Sequence, residues 1–293
     1  MKINSYYYKV GDTKTDLGIE ISGISRDVVS YMAYSKYTNE YMQNVKPCGD
    51  KQALIVVGGP MSTHSDVRNV LDTAKSSGIA VKMIGGYGAY NIARMFKNFM
   101  FEFVDIDAMT CASGLSAIHK AKQLFSVGYT DVIVYAVDII EETQLLLFKQ
   151  IGVDLLCGDG IGILHLSVDG MYDIVDTTFC YNRDTSPMSV SSEGYKKVLD
   201  NLNTEEVDLI KTHGSGTDRN TIEEISAIEH IACRKVEYKS EIGHTQGASS
   251  IVEICMMLDR EEFNKALVLA SGLGGFYGGC VIRRDYDYKE NGV

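Results

Sequence analysis

Asp107-Ala108-Met109-Thr110-Cys111-Ala112-Ser113-Gly114-Leu115-Ser116-Ala117-Ile118 is the stretch on which the reading of this chain turns. The apolar segment before it, Phe101 to Ile106, predicts a strand, and the small and apolar residues after it predict a helix to about Phe125. A cysteine at a strand-to-helix turn sits where helix-end N–H groups point and where the dipole favours an anion. Its thiol pKa is therefore expected to be lowered and a thiolate nucleophile exposed. A cysteine alone is more often a small buried hydrophobe, so the case for Cys111 rests on partners further along.

Outward from this turn, strand and helix signals alternate, which predicts an α/β fold. Ala53 to Val57 reads as a strand, Val67 to Ser76 as a helix, Ile79 to Ile84 as a strand and Tyr90 to Phe99 as a helix. Val132 to Val137 is the strand after the Cys111 helix, and Gly158 to Leu166 is a glycine-rich run into another, closed by an Asp169-Gly170 turn. The second half repeats the theme, with helices at Tyr195–Leu202, Glu223–Cys233 and Gly247–Leu258, and strands at Val207–Thr212, Val236–Lys239, Ala266–Ala270 and Cys280–Arg284. Cys111 to Ile118 also aligns without gaps with His244 to Ile251, matching at glycine, serine and isoleucine. That pairing predicts a duplicated architecture, residues 1–167 and 168–293, whose equivalent helix starts carry a cysteine and a histidine.

Composition narrows the function classes. The chain has 293 residues, 45% of them hydrophobic and 23% charged, with only three prolines, as expected of a large globular core. The N-terminal residues lack the apolar stretch of a signal peptide, and the longest apolar run, Val132 to Ile140, is broken by Asp138. A cytoplasmic protein without a membrane span is expected. The net charge of −11 disfavours nucleic acid as a partner. Seven scattered cysteines without a CxxC pair suit neither a zinc site nor a disulfide framework. An acidic protein partner would need a local basic patch, for which Lys120 with Lys122, Lys196 with Lys197, and Arg234 with Lys235 are candidates.

Three further segments carry chemistry. Lys211-Thr212-His213-Gly214-Ser215-Gly216-Thr217 places a histidine at a strand end. Lys239-Ser240-Glu241-Ile242-Gly243-His244 puts a lysine and a second histidine at another strand exit. Ser271-Gly272-Leu273-Gly274-Gly275 is a loop whose backbone can approach a ligand closely. Singly, each has an ordinary structural reading. In order along the chain, with the Gly158-Asp159-Gly160-Ile161-Gly162 run, they resemble the β-ketoacyl synthases, the condensing enzymes of fatty-acid and polyketide assembly. TCASG matches the nucleophile turn, GDGIG the usual GEGAG, HGSGT the usual HGTGT, KSEIGH the usual KSNIGH and SGLGG the usual FGFGG.

The resemblance implies a thiolase-like fold, two similar αβ halves in five αβαβα layers. It implies that Cys111 holds an acyl chain taken from an acyl carrier protein or coenzyme A thioester, with the N–H groups of Cys111 and Leu273 as oxyanion hole. His213 and His244 would then support decarboxylation of a malonyl-type thioester, whose carbanion attacks the acyl group. Lys239 and Glu253 would form an ion pair beside the histidines; Glu224 is expected to be structural. Thr217, Gly274 and Phe276 fall at substrate-binding positions. No cofactor or metal is implied, and a homodimer or a heterodimer with another synthase-like subunit is. The chain departs from the family in its shortness, in Leu273 for the aromatic gate, in Phe276 and Tyr277 for threonine and asparagine, in Thr221 for aspartate and in Asp159 for glutamate. Two alternatives stay open: an acyltransferase or thioester-cleaving enzyme using the same acyl-Cys111, and a non-catalytic synthase-like partner subunit.

Overall fold

The computed structural model describes residues 1–23, 35–58, 85–140, 142–150, 152–153, 155–183 and 190–288. The strands among them are β1 (Lys2–Val10), β2 (Thr13–Lys14), β3 (Ile19–Glu20), β4 (Gln52–Val57), β5 (Phe101–Asp107), β6 (Asp131–Asp138), β7 (Gly160–Ser167), β8 (Tyr172–Tyr181), β9 (Leu209–Lys211), β10 (Arg234–Val236), β11 (Lys265–Gly272) and β12 (Phe276–Arg284). The helices are α1 (Ser35–Asn44), α2 (Gly85–Met95), α3 (Ser113–Ser126), α4 (Glu142–Gln150), α5 (Ser192–Leu199), α6 (Asp218–Ile228), α7 (Lys239–Ile242) and α8 (Ser249–Arg260). The helix expected over Val67–Ser76 and the strand over Ile79–Ile84 lie outside the described residues.

Ten strands form one sheet in the order β10-β9-β11-β12-β8-β1-β7-β6-β4-β5. It divides into two quintets of the same design. In the first, β4 runs parallel to β5 and β6, while β7 is antiparallel to β6 and to β1. In the second, β9 runs parallel to β10 and β11, while β12 is antiparallel to β11 and to β8. The two are joined where Lys2 and Ile3 of β1 pair with Asp173 and Tyr172 of β8.

Burial explains why β4, β6, β7 and β11 are apolar along nearly their whole length. Each is covered on both faces, so strict alternation of polar and apolar residues is not required. Alternate residues go to different cores: Ala53, Ile55 and Val57 face an inner core, whereas Leu54 and Val56 face an outer one. The inner core contains α3 and α8 between the quintets. The second-half helix α8 packs on β7, β1 and β6 of the first, and α3 touches β8 and β12 as well as β6 and β4. Helices α1 and α2 cover the outer face of the first quintet, and α5 and α6 that of the second. These are the five α/β layers expected from the resemblance.

Two long strands escaped the sequence reading, besides the two-residue strands β2 and β3. β1, Lys-Ile-Asn-Ser-Tyr-Tyr-Tyr-Lys-Val, is half-buried at every residue but Ile3, so it shows no period of two; β8 is similarly mixed. A third segment is corrected. β10 ends at Val236, and Lys239 opens the single helical turn α7 instead of closing a strand.

The helix starts that meet at the centre are equivalent, but in a different register from the gapless match. Thr110–Ala112 forms a 3-10 turn before α3, and Gln246–Ala248 forms one before α8. Thr110 and Gln246 both have positive φ, 52° and 46°. This geometry places Gly247, not His244, opposite Cys111; the expected register is three residues out. The match was misled by coinciding small residues, which both turns need because the helices nearly touch. A Cβ on Gly114 would lie 2.8 Å from the Cβ of Ser250, its counterpart across the axis. Gly114→Ala is therefore expected to lose about 1–3 kcal/mol of stability by overpacking, although alanine stabilises an ordinary exposed helix position by about 1 kcal/mol. Urea denaturation checks this; a gain in stability would show that α3 and α8 do not pack at Gly114.

Candidate active site

Cys111 lies in the 3-10 turn between β5 and α3, partly exposed. The turn is held from three sides. Asp107 at the end of β5 is buried, takes a hydrogen bond from the Ser116 hydroxyl at 2.7 Å and pairs with Lys120 at 2.9 Å. Ser113 Oγ donates to the Thr110 carbonyl at 2.6 Å, and Thr110 Oγ1 donates to the Leu273 carbonyl at 3.2 Å. The last bond ties the cysteine turn to the turn after β11. A β-branched residue with φ of 52° is a strained backbone, the kind kept where the surroundings force it. Gly272 permits the approach, since a Cβ there would collide with Thr110 Oγ1.

The expected lowering of the thiol pKa is not what this environment does. Although the residue as a whole is partly exposed, burial of the sulfur itself pushes the Cys111 thiol up to about 12, with Lys239 opposing and Asp138 and Cys157 adding to the rise. The physical reason is placement: Cys111 is two residues before the first residue of α3, inside the tight turn. At neutral pH the resting group is a thiol, and its nucleophilic form has to be made when a substrate arrives.

His213 follows β9 and His244 follows α7; both are nearly fully buried, and their rings stand 5.6 Å apart at 74°. Burial comes first in holding both imidazoles well below the usual histidine pKa, then Lys239; Lys211 adds to the effect at each. Both are therefore neutral in the resting site. For His244 the tautomer follows from geometry. The backbone N–H of Gln246 donates to Nδ1 at 3.0 Å, and Ser249 Oγ, which accepts from Thr245 Oγ1, lies 3.3 Å from the same nitrogen. Nδ1 must accept, so the proton sits on Nε2 and that nitrogen is a donor. His213 is fixed through its backbone instead: its N–H donates to Glu224 Oε1 at 2.5 Å, and its carbonyl accepts from Lys239 Nζ at 2.5 Å. Its Nδ1 has no partner among the described residues.

Behind the histidines lies a buried charge cluster. Lys239 Nζ is 2.5 Å from Glu253 Oε1, and Lys211 Nζ pairs with Glu253 Oε2. All three side chains are essentially inaccessible. The Lys239–Glu253 pair is the one the family resemblance implies; Lys211 as its third member was not expected. The signal for it was a lysine ending the short strand Leu209-Ile210-Lys211 directly after two apolar residues, where a buried charge has to find a partner. Glu224 is a structural clamp, its carboxylate receiving the N–H groups of His213 and Gly214 while burial raises its pKa.

The remaining candidates are spread more widely. Leu273 sits beside the cysteine turn through the Thr110 bond. Thr217 stands at the N-cap position of α6, its hydroxyl turned to that of Ser215 at 2.9 Å and not to the helix N–H groups. Gly274 takes φ of 93° in the β11–β12 turn, and Phe276 stacks on Phe179 with ring centres 6.2 Å apart. Tyr277 is wholly buried in the outer core, its hydroxyl accepting from the Ser191 N–H. Asp159 ties three loops together: its carboxylate accepts from the N–H groups of Ile21 and Ile140, and its carbonyl from Gly11. The glycines beside it let the second half press in, since a Cβ on Gly162 would lie 2.8 Å from the Val252 nitrogen.

Among the described residues, the metal-ligating types that cluster are Cys48, Asp131 and His165. The Asp131 carboxylate already accepts from His165 Nε2 at 2.7 Å and from the N–H groups of Cys48 and Gly49 at 2.8 Å each, so it serves as a loop tie. No described helix is long and apolar enough to cross a membrane, and all seven cysteines are free.

Glu253→Leu leaves two buried ammonium groups without a counter-charge and is expected to cost about 3–5 kcal/mol, read by urea denaturation. Iodoacetamide labelling followed on the Cys111 peptide is expected to accelerate about tenfold per pH unit through pH 6–9, as for a thiol of high pKa. A plateau below pH 7 would show a resting thiolate.

Residues 180–262 match the family model described as Beta-ketoacyl synthase, C-terminal domain. No curated protein matches the chain. Among solved structures, it is similar to a chain of a type II PKS acyl-carrier protein in complex with its ketosynthase bound to the hexaketide, at 15% identity and TM-score 0.74, over 91% of this chain and 87% of that one. A β-ketoacyl synthase from Burkholderia phymatum gives 14% identity and TM-score 0.73 over 92% and 88%. The ketosynthase from module 6 of the bacillaene synthase from Bacillus subtilis gives 14% and 0.66 over 88% of this chain but 57% of that one. The chain thus has the thiolase-like fold of these ketosynthases, and residues 180–262 match the model of the β-ketoacyl synthase C-terminal domain.

Proposed function

We propose that the protein is a β-ketoacyl synthase-type condensing enzyme that carries its acyl chain on Cys111. The observation that supports this reading most is the buried pair of histidines, one of them held as an Nε2 donor, backed by two lysines on one glutamate. Plain acyl transfer needs one group to manage the nucleophile's proton. A second donor is useful when negative charge develops on a thioester oxygen, as it does when a malonyl-type thioester loses carbon dioxide.

The steps follow from these residues. Cys111 sulfur attacks the acyl thioester, and the thiol proton leaves with the departing carrier thiol. The N–H groups of Cys111 and Leu273 are assigned to the oxygen of that tetrahedral intermediate. The extender then takes the carrier's place. As its carboxylate leaves as carbon dioxide, the electron pair moves onto the α-carbon and the thioester oxygen, which accepts hydrogen bonds from His213 and His244. The carbanion attacks the acyl-Cys111 carbonyl, a carbon–carbon bond forms, and Cys111 is released to take up a proton. Lys239 holds the His213 backbone by its carbonyl. Thr217, Gly274 and Phe276 are assigned to the substrate channel.

An acyl carrier protein is the proposed donor, as in the complex of the similar type II PKS structure. Of the candidate docking pairs, Lys120, Lys122 and Arg234 are already bound to Asp105 with Asp107, Asp176 and Glu261, so a carrier would have to compete for them. A second synthase-like subunit is proposed to cover β5, which pairs only with β4 among the described residues and exposes Phe103 and Val104.

The test is intact-protein mass spectrometry after incubation with acylated carrier proteins. One acyl adduct on Cys111, absent from Cys111→Ala, is expected. An adduct discharged only to water or an amine would favour the acyl-transfer alternative, and no adduct at all the non-catalytic one.

A further inference from the structure

Lys211 has no part in the chemistry as derived so far, yet it is one of the most deeply buried large side chains in the protein. Its Nζ pairs with Glu253 Oε2 while Lys239 occupies Oε1, so one carboxylate carries two ammonium groups. A buried glutamate–lysine pair is complete with one cation, and burying a second lysine is costly unless something is gained. The second lysine is on β9, two residues before His213, so the strand that delivers the histidine delivers the charge as well.

We propose that Lys211 is a positioning residue that adds positive charge to this cluster, and that this charge, on top of burial, keeps His213 and His244 as neutral hydrogen-bond donors during decarboxylation. The proposal rests on the condensing-enzyme reading. Two effects follow from one residue. Each oxygen of Glu253 is in an ion pair, and Lys239, which anchors the His213 carbonyl, lies against one of them. A net cation behind the rings opposes their protonation and favours the negative charge that develops on the substrate oxygen in front of them.

The groups that face Lys211 are accounted for from each element around it. They are Glu253 of α8, Lys239 of α7, Glu224 of α6, Cys280 of β12, and the two histidines. Two carboxylates and two lysines sum to zero if both acids are ionised. Burial raises the pKa of Glu224 and lowers that of Lys211, with Glu253 opposing the latter, and the Glu224 oxygens are turned to the His213 and Gly214 N–H groups. Glu253 is left as the one acid bound to both lysines.

Lys211→Met tests this while leaving a one-to-one Lys239–Glu253 pair. Removing a nearby cation makes an imidazole easier to protonate, so the histidine pKa values must rise. The acid limb of the pH–rate profile for malonyl-carrier decarboxylation is expected to move up by about one unit, and NMR titration of the histidine rings is expected to move with it. An unchanged limb and unchanged titration in a folded, active variant would overturn the proposal. If Lys211→Met does not fold, Lys211→Gln is used. The wild-type rings give a further check, because titration of either buried histidine between pH 6 and 7 would also overturn it. The NMR readout does not depend on turnover. Wild-type protein that never decarboxylates malonyl thioesters while its histidines stay neutral would count against the condensing-enzyme reading and leave the charge assignment standing.

Discussion

The structure depends on a close contact between two helices. Where α3 and α8 start, at the meeting of the two quintets, Gly114 lies against Ser250 with no room for another carbon. This contact sets the distance between the halves, and so sets how Cys111 on one turn stands relative to His244 before the other. The Thr110 bond to Leu273 and the packing of Gly162 against Val252 serve the same end. Small residues recur in the motifs because backbone has to meet backbone there.

The second organising feature is electrostatic. A glutamate on α8 gathers lysines from β9 and α7, and one of those lysines holds the backbone of His213. Stability and chemistry are coupled through that carboxylate: the cluster is satisfied only when the three elements are packed, and once packed its lysines add to the burial that disfavours protonation of both histidines. Cys111 in turn is kept as a thiol by burial, with Lys239 as the nearby group that eases its ionisation.

Much of this was legible in the sequence. Short-range patterns delivered the Cys111 turn, both histidine loops and the α/β class, because each motif is local and its spacing survives, and the family resemblance implied the Lys239–Glu253 pair. What was not legible depends on the third dimension. β1 was missed because its half-buried tyrosines give no periodicity, and Lys211 because only the fold brings β9 to α8. The thiol's raised pKa came from desolvation, which no motif records. The duplication was visible in outline, but its register was misplaced by three residues, since Gly, Ser and Ile recur too often to fix an alignment.

The central claim is that the histidine pair serves carbon–carbon bond formation on acyl-Cys111. The most direct measurement follows acyl-loaded protein mixed with a malonyl carrier protein labelled with carbon-13 in its free carboxyl group. Release of one labelled carbon dioxide for each acyl group lost from Cys111, with the label absent from the product, is the result this account requires. Loss of the acyl group without release of labelled carbon dioxide would contradict it.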